Sequence, residues 1–464
     1  MTEKSGSFRV ASMNQTIRTY LSNLEDLFSF SPSDAQRAAV RFHEEMRRGL
    51  DGQTSSLRML PSYVGRPTGT EKGQFLALDL GGTNLRVLAV RLDGRGGAEI
   101  TAVNRLAVPE TVMRGSGEAL FDFLAEGVAL FLEEHGLDSK EHRDLAFTFS
   151  FPVAQSAVNA GVLLNWTKGF TAADVAGQNV VALLSDALRR KHIEEVSVTA
   201  LVNDTVGTLA TKSYVDPSCD MGVILGTGTN ACYPERAVLP ANGRFPNSGR
   251  EMIINLEWGN FDKLDTSACD QALDRLTFNP GRQRMEKMVS GMYIGELTRL
   301  ILLDMTERGM LLHKNCRPVL VHEHSVSPEQ MSLTVQGEDF FAAIGIPDAS
   351  DPDRDAAAHV CRIVSKRSAR LAGAALAAVV TWMDANLEKM HTIAIDGSLF
   401  EKYPGYSENM RCVLEELFAC RADRIALCTT SDGSGIGAAI IAAVASSKQE
   451  QEHKPARQRT RKNR

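Results

Sequence analysis

The sequence predicts an α/β protein made of two related domains that face each other. Three observations carry this expectation. At 464 residues the chain exceeds what one hydrophobic core usually serves, so two domains is the natural prior. Its 43% hydrophobic and 23% charged residues are those of an ordinary soluble globular protein. Finally, DLGGTN at 79–84 and ILGTGTN at 224–230 each place glycines and a Thr-Asn pair after an apolar strand, which reads as one supersecondary unit used twice.

The elements follow in order. TIRTYLSNLEDLF and SPSDAQRAAVRFHEEMRRGL have helical periodicity, the second opening on a Ser31-Pro32 cap and first turn. PSYVGRPTGTEKG is rich in turn residues and reads as a crossing between domains. FLALDLGGTNLRVLAVRLDG is then a hairpin with Asp79, Thr83 and Asn84 at its tip. Residues 118–136 and 174–192 carry helical patterns, with LAFTFSFP a buried strand between them. VSVTALV alternates like a half-buried strand and ends on Asn203 and Asp204, after which TVGTLATKSYV starts a helix. MGVILGTGTNACYPE is the second hairpin. A long helix after NPGRQRMEKM, a small-residue helix at 368–387, strands HTIAIDG and RIALCTT, and a last helix from GSGIGAA complete the chain.

The net charge of −6 hides an asymmetry: the last eleven residues, KPARQRTRKNR, carry six positive charges and no negative one, which leaves −12 for the rest. An acidic body argues against a nucleic-acid-binding surface, and the tail reads as a solvated end. The eight cysteines are too sparse for a disulfide scaffold and form no C-x-x-C pair, so they are expected to be reduced core thiols. The N-terminus lacks an apolar signal region, and LAGAALAAVV and IGAAIIAAVA are too short to span a bilayer, so the expected compartment is the cytoplasm.

Several stretches carry chemistry. Glycines at a strand-to-strand turn let backbone N–H groups approach an anion, and two such turns face to face suit an oligophosphate, with Asp79 beside the first to hold a hydrated Mg²⁺. FTFSFPVAQSAVNAGVLLNWTKGF sets Ser150, Asn165, Thr167 and Lys168 around Trp166, offering the hydroxyl, amide and ammonium groups that grip a neutral polyol, although the Trp itself also reads as a core aromatic. Glu257 stands among apolar residues and needs a partner, whereas Glu286 near a helix start has a dipole reason to be there. The Asn203-Asp204 pair is open to an equally plain account as turn and cap chemistry.

LALDLGGTNLRV, FTFSFPVAQSAVNAGVLLNWTKGF, LVNDTVGTL, GTGTNACY, NLEWGNF and NPGRQRMEKMVSGMYIGE together resemble the hexokinase family in order and spacing, closely over 57–300 and loosely beyond. The resemblance implies two related actin-like (ribonuclease H-like) domains with a sugar and ATP cleft between them. The smaller would comprise 66–203 with 446–464 and the larger 1–65 with 204–445. It implies transfer of the ATP γ-phosphoryl group to the 6-hydroxyl of a hexose such as glucose, with Mg²⁺, in a monomer or homodimer that binds neither nucleic acid nor membrane. Asp204 takes the position of the catalytic base. Ser150, Thr167, Lys168, Asn203, Asn230, Glu257 and Glu286 take those of the sugar contacts. Phosphate and metal positions fall on Asp79, Gly81, Gly82, Thr83, Asn84, Arg86, Thr227 and Gly228, and Gly291, Gly397 and Ser398 match the nucleoside side. The chain departs from the family pattern at Asn159, in VHEHSVSPEQMSLTV and at Ser431. A catalytically weak glucose sensor of the same ancestry is the alternative, and the presence of Asp204 with Asp79 and both glutamates speaks for the enzyme.

Overall fold

The computed structural model describes residues 15–81, 84–137, 141–235, 251–311, 316–346, 349–430 and 432–453. Two helices, Gln15–Phe28 and Pro32–Leu50, come first, and Ser31 caps the second in a reciprocal box with Asp34, as the Ser-Pro signal predicts. The short β1 (Leu60–Pro61) precedes β2 (Lys72–Leu80), β3 (Asn84–Asp93) and β4 (Ala98–Ala107), which form an antiparallel run. β5 (Arg143–Phe149) joins β2 in parallel, and after the hairpin of β6 (Val153–Ala157) and β7 (Ala160–Leu163), β8 (Val196–Val202) joins β5. The first sheet has the order β4-β3-β2-β5-β8.

The second sheet repeats it. β9 (Cys219–Leu225), β10 (Thr229–Glu235) and β11 (Met252–Asn255) are antiparallel, β12 (His391–Asp396) and β13 (Ile425–Thr429) are parallel additions, and the order is β11-β10-β9-β12-β13 with β1 on the edge. Each sheet is thus an antiparallel meander extended by two parallel strands, so the duplication inferred from the two glycine turns is a duplication of whole sheets. Both turns join the first two strands of their sheet.

Two helices lie between the sheets. Asp204–Val215 packs on β9, β10 and β12, and Gly433–His453 on β2, β5 and β8; the two helices also pack on each other. Their shared core is made of small residues, among them Ala77, Ala146, Ala200, Ala210, Ala394 and Ala438, which keeps the layers close. Glycines bring the backbones together: a Cβ on Gly222 of β9 would collide with Thr205 O, and one on Gly437 with Gly207 O. Gly117–Glu134 and Val180–Arg190 cover the outer face of the first sheet, and the 33-residue helix Asp351–Met383 belongs to the large core of the second unit.

Three expectations change. The helix expected at 174–192 starts only at Val180, where Asn179 caps it. The long helix after NPGRQRMEKM is broken at Ser290 into Arg284–Val289 and Gly291–Glu307, because Gly291 docks its N–H on Gly226 O at 2.8 Å. The small-residue helix begins seventeen residues early, at Asp351, and ends at Met383. The thiols are all free, but Cys412 and Cys420 are exposed, so the expectation of core cysteines fails there. No helix among the described residues is long and apolar enough to cross a membrane. The basic tail, 454–464, lies outside the described residues.

One buried charge cluster ties β12 to its neighbours. His391 donates or accepts at 2.7 Å with Asp220 Oδ2 and lies 3.3 Å from Asp384 Oδ2. Burial lowers the imidazole pKa, but the hydrogen bonds and charges of Asp220 and then Asp384 raise it above the ordinary histidine value. The sign follows: a proton bound more tightly in the fold stabilises fully below the unfolded value of about 6.5, and this contribution is lost as pH rises through the folded value. Urea midpoints should therefore show wild type more stable than His391→Gln by a margin that is larger at pH 6 than at pH 9. A margin independent of pH would mean the pairing carries no charge-linked stability.

Candidate active site

β8 ends at Val202 and the helix Asp204–Val215 begins with only Asn203 between them. Asn203 is the N-cap: its Oδ1 accepts the Thr205 N–H at 3.0 Å and the Thr205 hydroxyl at 2.6 Å. Cap chemistry is therefore the task of Asn203. Asp204, the first helical residue, has Oδ1 accepting the Thr205 N–H at 2.9 Å, while Oδ2 stands 3.7 Å from Lys168 Nζ.

These groups line one cavity. Ser150, Thr167, Lys168, Asn203 and Asp204 contribute from one side, and Gly228, Asn230, Glu257 and Glu286 from the other, with Thr229 and Gln283 beside them. The structure thus brings together all eight residues expected at a sugar and a base. Lys168, Glu257 and Gln283 have φ of 54°, 54° and 50°, the left-handed region that side chains avoid. Strain of about 1 to 3 kcal/mol at each of three residues around a single cavity is the pattern of a site held in shape by its surroundings.

The two glutamates differ in how they are held. Glu257 Oε1 accepts from Asn255 Nδ2 at 2.8 Å and Asn230 Nδ2 at 3.2 Å. Burial raises its pKa against the Asn255 hydrogen bond. Glu286 Oε2 accepts the Thr229 N–H at 3.1 Å, and burial pushes its pKa up to about 7 against that bond and the charge of Lys168. A Cβ on Gly228 would lie 2.9 Å from Glu286 Oε2. The glycine of the second turn therefore makes room for a cavity carboxylate, besides whatever its backbone does. Trp166 stacks on Phe170 with centroids 5.4 Å apart and donates its indole N–H to Ala172 O at 2.9 Å, so the core reading of this residue holds, and it props the loop that carries Thr167 and Lys168.

The phosphate positions form two groups. In the first, Asp79 and Arg86 face each other across β2 and β3, and Asp79 Oδ2 accepts from Arg86 and, at 2.9 Å, from Ser434 Oγ. Arg86 also reaches Asp432. Gly81 donates to Asn84 O at 3.3 Å, and Asn84 is exposed; Gly82, Thr83 and Ser431 lie outside the described residues. In the second group, Met292 N–H donates to Thr227 O at 3.1 Å, and Gly397, at φ 133°, lies so close to Leu225 O that a Cβ would collide. Ser398 follows as the first residue of a short helix. Thr227, Gly228, Gly291, Gly397 and Ser398 accordingly gather around one turn.

Sequence reasoning missed Gln283, Asn255, Asp396, Asp432 and Ser434. Asp396 ends β12, and its carboxyl is pushed up to about 6 by burial first, then by the charges of Glu401, Asp204 and Asp79, against Arg86. It stands among both phosphate groups and the base. Its signal was present, since IDGSLF places an acid and a glycine after an apolar strand much as DLGG does.

Two family models described as hexokinase match residues 20–214 and 220–444. The chain belongs to the hexokinase family. Hexokinase-3 of Homo sapiens is 42% identical over 91% of this chain and 47% of its own. The chain thus spans about half the length of that relative. Hexokinase-2 of Solanum tuberosum is 40% identical over 92% of this chain and 91% of its own. Among solved structures, a Schistosoma mansoni hexokinase complexed with glucose is 36% identical, covers 92% of this chain and 99% of its own, and superposes with a TM-score of 0.85. The hexokinase fold accounts for the doubled sheet and for the cavity at the junction of its two halves.

Proposed function

We propose that the protein phosphorylates the 6-hydroxyl of a hexose, glucose foremost, with ATP as phosphoryl donor. The observation that carries this is Asp204: one carboxylate oxygen is tied to its own helix and the other faces a cavity walled by Lys168, Asn203, Asn230, Glu257 and Glu286. That wall offers many hydrogen bonds and little apolar surface, which suits a polyol. Asp204 accepts the hydroxyl proton as the oxygen attacks phosphorus, and the neighbouring ammonium of Lys168 keeps that carboxylate ionised. The side chains on either side hold the sugar so that the 6-hydroxyl, and no water, meets the base.

The domain assignment expected from the sequence, 66–203 with 446–464 against the remainder, is kept as part of this reading. ATP phosphates would lie along the turn 226–228 and the start of β3, where glycines bare the backbone. The residues fit Mg²⁺ held largely by phosphate and water. Asp79 has one oxygen committed to Arg86 and Ser434, and no group of three metal-binding side chains converges among the described residues. Mg²⁺ when bound supplies neutralisation of phosphate charge.

The test is a coupled ADP-release assay over a panel of hexoses, in which no turnover with any hexose would overturn the reading. Glu257→Gln and Glu286→Gln should each weaken hexose affinity by about 1 to 3 kcal/mol, the worth of a charge-assisted hydrogen bond to a buried hydroxyl. An unchanged KM for every hexose would make the two acids structural. The Glu286 carboxyl at about 7 adds a pH signature. If hydroxyls bind its ionised form, binding at pH 7 releases about half a proton, and affinity falls as pH drops below 7. Calorimetry in two buffers of different ionisation enthalpy reads that proton, and Glu286→Gln should abolish it.

A further inference from the structure

Beside the sugar cavity lies a second, unrelated one. It measures about 320 Å³, is lined by Asp270, Asp274, Arg275, Arg284 and Lys287 over an apolar floor of Leu273 and Met288, and touches none of the residues of the sugar cavity. Its charges do not balance. Asp270 is neutralised by Arg367 through bonds of 2.8 and 2.6 Å, and Asp274 by Lys287 at 2.6 Å together with the Gly281 N–H at 2.8 Å. Arg275 and Arg284, both exposed, have no carboxylate partner among the described residues. Two unpaired guanidiniums over a volume several times that of a phosphate group match a doubly charged anion carrying a small organic substituent.

The two cavities share one short element. Residues three apart lie on the same face of a helix. In the segment around Arg284–Val289, Gln283 and Glu286 face the sugar cavity while Arg284 and Lys287 face the second one. We propose that the second cavity binds a phosphomonoester dianion through Arg275 and Arg284, and that its occupancy weakens hexose binding through this helix. A dianion draws Arg284 and Lys287 toward itself and sets negative charge one residue from Glu286, against the ionised form that accepts sugar hydroxyls. Burial lowers the Lys287 pKa, and an anion beside it would offset that cost.

Inorganic phosphate is the probe, titrated calorimetrically against the full chain. The double variant Arg275→Gln, Arg284→Gln should lose about tenfold or more in phosphate affinity while unfolding at the wild-type temperature, because phosphate held at the glycine turns would not sense these residues. Hexose affinity, read by tryptophan fluorescence, should fall about fivefold in wild type when phosphate saturates the site and stay unchanged in the variant. Equal phosphate affinity in wild type and variant, or a wild-type hexose affinity indifferent to bound phosphate, would overturn the proposal. The coupling rests on the sugar reading. A chain that binds no hexose would defeat that reading, and the phosphate titration would still decide the site.

Discussion

Asp204→Ala is expected to bind glucose and lose a factor of about 10² to 10⁴ in kcat, the usual worth of a positioned general base. The geometry says why binding survives: Lys168, Asn203, Asn230, Glu257 and Glu286 all remain on the cavity wall. Asn203→Ala is the informative contrast. Asn cannot take a proton, so the variant should raise KM at least as much as it lowers kcat. Because Asn203 caps the helix, it should also lose about 1 kcal/mol of stability, which Asp204→Ala should not. Steady-state kinetics with thermal unfolding on both variants separate the two roles. Near wild-type turnover in a folded Asp204→Ala protein would move the base elsewhere.

Gly437→Ala is expected to destabilise the protein by about 3 kcal/mol. Two effects oppose each other. Alanine in a helix interior gains about 1 kcal/mol over glycine. Against it, the new Cβ would collide with the carbonyl of Gly207 on the facing helix, backbone against backbone, where no rotamer change gives relief. Overpacking of this kind costs several times the helix gain, since two helices and the sheets behind them must separate. Calorimetric unfolding measures the loss, and an unchanged or raised Tm would show that the two helices are not in contact in solution.

The doubled fold was legible because its signal is local: a glycine turn between two apolar strands reads the same wherever it occurs, and DLGGTN and LGTGTN needed no tertiary information. Asp204, Glu257 and Glu286 were legible as polar residues at the ends of apolar runs, with their roles supplied by family resemblance. Gln283 was not, since it reaches the cavity only through a left-handed backbone at φ 50° that nothing in NPGRQR announces. Asp432 and Ser434 were missed because their partner, Arg86, lies some 350 positions away in sequence. The break at Ser290 escaped for a similar reason, as periodicity continues through it and only the docking of Gly291 on Gly226 stops the helix. Element boundaries failed where distant backbone intervened.

The contact between Gly207 and Gly437 bears on how the cleft moves as well as on how tightly it is packed. Asp204 lies three residues from Gly207, about 4.5 Å along the helix axis. Any swivel of one sheet against the other about that contact turns distance into displacement. A rotation of about 10° carries a group 5 Å from the pivot through less than 1 Å, and one 20 Å away through more than 3 Å, well within the range of hinge and shear motions. The two glycines therefore act as a fulcrum set beside the base. The walls of the cleft travel, and the carboxylate that must meet the hydroxyl stays nearly where it was.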